Sequence, residues 1–154
     1  MSVALPTARA QAVEAPPSTQ LMSLRVGAAE GLFGIGARRG LQDLDLGFFG
    51  GDAADYFVSS AEAHRHAELF ASRRKTGFAL WASGLTVLVA DMVAMTPRNG
   101  AFAREHSSAV VGGLLVGSAL SVASLFVLNA SNTHLADAVS SYNADLVDGR
   151  MMTP

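Results

Sequence analysis

Two stretches of this chain, residues 76–95 and 108–128, consist almost wholly of apolar and small side chains. The first holds a single charge, Asp91, and the second holds none. As helices rising 1.5 Å per residue, stretches of about twenty residues cross ~30 Å of hydrocarbon. The competing reading is a pair of buried helices in a soluble bundle. A chain of 154 residues makes one domain at most, and its helices would each need a wet face, which neither stretch provides. Charged residues make up 16% of the chain, against about 25% in soluble domains. Lipid is therefore the expected solvent for both stretches.

The expected fold class is all-α: a transmembrane helical hairpin over residues 59–148, both helices extended into a cytoplasmic two-helix stalk, with a flexible N-terminal tail. Residues 1–24 are rich in Ala, Pro, Ser and Thr without periodicity and read as a disordered tail. Within it "TARAQAVEAPP" resembles the end of a signal peptide, but a positive n-region and a long apolar run are missing. Either the likeness is chance or upstream residues are absent. Residues 25–58 read as a glycine-rich peripheral segment with short helices. One such helix is expected through "LQDLDLGFF", with Leu41, Leu44, Leu46 and Phe48 or Phe49 on a contact face. Gly34, Gly36 and Gly40 superficially resemble a phosphate loop, but no βαβ unit surrounds them.

Ser59 and Glu62 have the spacing of a capping box. A helix from residue 60 meets no breaker until Pro97, and a second runs from about 107 to 147 after a short polar loop. Leu125, Leu128, Asn132, Leu135, Val139, Tyr142 and Leu146 alternate spacings of three and four. This is a heptad seam, with Asn132 as a polar insert of the kind that fixes register. The wet extensions are expected to pack Ala63, Ala67 and Phe70 against Leu135, Val139 and Tyr142.

In lipid, helices associate through close approach of small residues. Ala82, Thr86, Ala90 and Ala94 form one such stripe, and Ala109, Gly113, Gly117 and Ser121 form another, both spaced by four. Arg73, Arg74 and Lys75 abut the first span and are expected to anchor at anionic lipid headgroups. They place both termini in the cytoplasm by the positive-inside rule. Asp91 lies near the far end of its span, where an ion pair with Arg98 is the leading expectation.

The net charge of −2 gives no basic field for nucleic acid. The absence of cysteine removes disulfides, thiolate catalysis and zinc–thiolate sites. No metal site is expected. His64 and His66 are two apart, so they diverge on a helix, while His106 falls in the loop and His134 beyond the second span. No cofactor and no hydrolytic triad is indicated. Asn129 matches a glycosylation signal on a helix end expected to be cytoplasmic, where it is inert.

The run "HLADAVSSYNADL", with Glu62-Ala63, the basic patch through Gly77, Gly112-Gly113, and Ala138-Val139 to Tyr142-Asn143, resembles small bacterial two-span membrane proteins ending in Ala-Val-x-x-Tyr-Asn. The likeness covers residues 55–146. It implies a two-span membrane protein and brings no activity or catalytic residues. The expected function is thus non-enzymatic: an accessory or scaffolding subunit contacting lipid and other membrane subunits or copies of itself. The alternative is a homo-oligomeric pore or transport component with Asp91 on its path.

Overall fold

The structure, a computed structural model, describes residues 21–26, 35–47, 49–96 and 104–151. Two long antiparallel helices dominate it: α1, Ala61–Ala94, and α2, Ser107–Val147. Their 34 and 41 residues correspond to about 50 and 60 Å, so each is longer than a bilayer core is thick. The hairpin and the extents of both helices match the sequence pattern.

The start of α1 differs in detail. Its N-cap is Ser60, not Ser59, because Ser60 has the extended backbone a cap requires (φ −127°, ψ 113°). Its Oγ accepts from the Ala63 amide at 3.3 Å and donates to Asp145 Oδ2 at 2.6 Å. One hydroxyl thereby caps α1 and ties it to the end of α2.

Beside the helix ends lies a small meander that the sequence reading did not contain. β1 (Met22–Val26), β2 (Ile35–Arg39) and β3 (Gln42–Asp43) form an antiparallel sheet in the order β1-β2-β3. Met22 pairs with Arg39, and Arg39 with Gln42. β1 thus takes residues 22–24, which composition assigns to the tail. The rest of the expected tail, residues 1–20, and the segment 27–34 lie outside the described residues.

The helix expected over residues 41–49 does not form. Gly40 (φ 57°) supplies the positive φ of a two-residue hairpin turn, and Leu44 donates to Ala37 O at 2.9 Å. These pairings satisfy the backbone locally, where so short a helix is marginal. Leu46 is buried, but Leu41 is exposed on the turn, so the expected common face is not built. A 3-10 helix, Ala53–Phe57, leads into α1.

The core sits at this end of the molecule. Ala63, Ala67 and Phe70 of α1 are buried in one cluster with Leu135, Ala138, Val139 and Tyr142 of α2 and with Met22, Ala37 and Phe57. Phe57 meets Tyr142 edge-on at 5.8 Å. The heptad seam is partly out of phase. Leu128, Leu135, Val139 and Tyr142 are buried, but Leu125 is exposed and Asn132 half-buried. Ser124 and Ser131 occupy the seam instead, both fully buried. Ser131 Oγ donates to the Phe70 carbonyl on α1 at 2.9 Å.

The other half of the hairpin is built the opposite way. Large apolar side chains point outward, among them Leu85, Val89, Met92, Val93, Val111, Leu115, Val122 and Phe126. Glycine and serine point inward. A Cβ on Gly84 would lie 2.8 Å from the Gly117 carbonyl oxygen, and one on Gly117 would lie 2.8 Å from Leu88 Cγ. The helices therefore touch backbone to backbone there. In the most apolar 18-residue windows of α1 and α2, only 11% and 17% is buried by the chain itself. A core helix of a soluble protein would be mostly covered. Both helices are long and apolar enough to cross a membrane.

Candidate functional site

Of the second stripe, Gly113, Gly117 and Ser121 turn toward α1, while Ala109 is exposed. They do not meet the first stripe. Ala82, Thr86 and Ala90 are exposed on the outer face of α1, with Ala94 half-buried. In this half of the hairpin, Gly77, Gly84, Leu88 and Asp91 of α1 face α2 instead. A side chain on Gly113 would collide with the Asp91 carboxylate, so that carboxylate lies flat on bare backbone between the helices. Its Oδ2 is inaccessible and has no hydrogen-bond partner among the described residues. Arg98, its expected partner, lies outside them.

The basic triplet divides. Arg73 and Lys75 are exposed, but Arg74 is buried. Its guanidinium lies 5.4 Å from the Phe70 ring and 5.8 Å from that of Phe78. These rings flank it at one helical turn on either side. Arg74 thus packs against its own helix, whereas Arg73 and Lys75 reach the surface. Beside it, Phe49, Lys75, Phe78, Ala79, Trp81 and Ala82 line an open apolar cleft of about 500 Å³.

Tyr142 and Asn143 fasten the meander. Asn143 Nδ2 donates to Met22 O, and Met22 N–H donates to Asn143 Oδ1, both at 2.8 Å. The side-chain amide thereby pairs with the edge of β1 as a neighbouring strand would. Arg39 donates to Tyr56 O at 2.7 Å and lies over the Tyr142 ring at 5.4 Å. Ala138, Val139 and Tyr142 are core and Asn143 is a clasp, so all four residues have a structural task.

The one group of described residues with the chemistry of a ligand set joins the two helices. His66 of α1 faces His134 and Asp137 of α2, with one ligand atom of each within 4.8 Å of the others. The imidazole centroids are 5.8 Å apart, and His66 Nδ1 is 3.9 Å from Asp137 Oδ2. On the other side of the His66 ring, Nε2 is 4.0 Å from Glu62 Oε1, one turn back. Both Nδ1 atoms are inaccessible and lack hydrogen-bond partners among the described residues. Burial holds the pKa of His134 below its ordinary value, aided by Arg73, His66 and Arg65 and opposed by Asp137. His64 is not part of the group: its Nδ1 contacts Ala54 O at 3.0 Å and steadies the 3-10 helix. Spacing within one helix correctly separates His64 from His66, but it is blind to a histidine far along the chain that an antiparallel partner brings alongside. The signal available was His134 and Asp137, three apart and so on one face of α2.

No family model, no curated protein and no solved structure matches this chain.

Proposed function

We propose that this chain is a two-span integral membrane protein of the bacterial inner membrane, acting without catalysis as an accessory or scaffolding subunit. The observation that carries the reading is the reversal of side-chain size along the hairpin. At one end large residues face in, as water demands; along the apolar half small residues face in and large ones out, as lipid packing demands. Asp91 is turned away from the lipid side, where a carboxylate is costly. Arg73 and Lys75 emerge at the boundary and attract anionic headgroups. The cleft beside Lys75 and Trp81 suits an acyl chain. Both termini and the meander then sit on the cytoplasmic side by the positive-inside rule.

Ala82, Thr86 and Ala90 support the scaffolding role. The hairpin leaves this stripe uncovered, and small residues spaced by four are what a further membrane helix packs against. Purification in mild detergent followed by mass spectrometry tests the proposal. A fixed set of larger membrane proteins, lost when the stripe is blocked by Ala82→Leu with Ala90→Leu, is the expected result. A pure homo-oligomer conducting ions, sensitive to Asp91→Asn, would favour the pore reading instead.

A further inference from the structure

We propose that His66, His134 and Asp137 form a binding site for one divalent first-row transition-metal ion, clasping α1 to α2 at the water-facing end of the hairpin. Two imidazoles and a carboxylate are the donors of open three-ligand zinc and non-haem iron sites. They do not suit calcium or magnesium, which take oxygen ligands. Each residue has one ligand atom within 4.8 Å of the others. Ligands of a tetrahedral ion at ~2.0–2.1 Å stand roughly 3.3 Å apart, so closing the site shortens the ligand separations by up to about 1.5 Å, shared between side chains and within the reach of their torsions.

Two further observations point to a ligand rather than to chance proximity. The buried Nδ1 atoms of His66 and His134 are left without hydrogen-bond partners among the described residues, a costly state that a metal relieves. Glu62 stands behind His66 at Nε2, on the side from which a carboxylate orients a ligating imidazole. Arg65 and Arg73 oppose a cation here; Asp137 and Glu62 offset them. Asp137 is half exposed, which leaves the remaining coordination position open to water. The site involves only the water-facing extensions, so it stands or falls independently of what the spans contact.

The test uses the untagged full-length chain in mild detergent, stripped with a chelator and titrated with Zn²⁺ by calorimetry and with Co²⁺ by visible absorption. One ion per chain, a Co²⁺ ligand-field band and a raised thermal midpoint with Zn²⁺ are expected. His66→Gln, His134→Gln and Asp137→Asn should each weaken binding by at least about tenfold, while His64→Gln and His106→Gln leave it unchanged. Asp137→Asn is isosteric at a half-exposed position, so it decides the matter if a histidine variant fails to fold. Absence of stoichiometric Zn²⁺ binding, or wild-type binding by Asp137→Asn and His134→Gln, would overturn the proposal.

Discussion

His134 carries a pH dependence that follows from where it sits. Its folded-state pKa is held below its ordinary value by burial first, then by Arg73, His66 and Arg65, so the folded chain binds this proton more weakly than the unfolded chain does. The stability linked to it is present above the unfolded value of about 6.5 and is lost as pH falls below that value toward the folded one. In metal-free detergent solution, the thermal midpoint should drop between about pH 7.5 and about 5.5, and His134→Gln should flatten that drop. Equal slopes for the two proteins would contradict this. Arg74 shows what sequence conceals at the same scale. Adjacency to the apolar run marks it as an anchor, yet it lies four residues from Phe70 and four from Phe78, on the buried face. The phase of the helix, not the neighbourhood in sequence, decides its role.

At the scale of elements, both long helices were legible, because length, hydropathy and punctuation mark them from end to end. Their contact faces were less so. Spacing by four picks out Ala82, Thr86 and Ala90, but a row spaced by four drifts around a helix of 3.6 residues per turn. Gly77, Gly84 and Asp91, each seven apart, stay in phase with Phe70 and make the contact. On α2 the same spacing does pick out Gly113, Gly117 and Ser121, since the glycines leave little else there. The meander was hidden because its strands have only five, five and two residues among glycines that read as breakers. If Gly84 and Gly117 set the approach of the spans, Gly117→Ile should destabilise the hairpin by about 1–3 kcal/mol through overpacking. Ala82→Ile, on the outer face, should cost less than about 0.5 kcal/mol. Reversible unfolding in mixed micelles measures both, and equal effects would refute the assigned faces.

Across the whole molecule, the proposed pair of solvents, water and lipid, accounts for the difference between the two halves. The water-facing end has a core with aromatic rings, a capped helix start and a clasped sheet edge. The apolar half has bare backbone contact inside and bulk outside. Nothing within the described residues covers that outer surface, where Leu85, Val89, Met92, Val93, Val111, Leu115, Val122 and Phe126 are all exposed, and a contiguous apolar surface marks a membrane or protein contact. The most direct measurement is fractionation of cells expressing the full chain, followed by an alkaline carbonate wash and ultracentrifugation. Retention in the washed membrane pellet, with release only by detergent, is the predicted result. A monodisperse monomer in the aqueous supernatant would contradict the account.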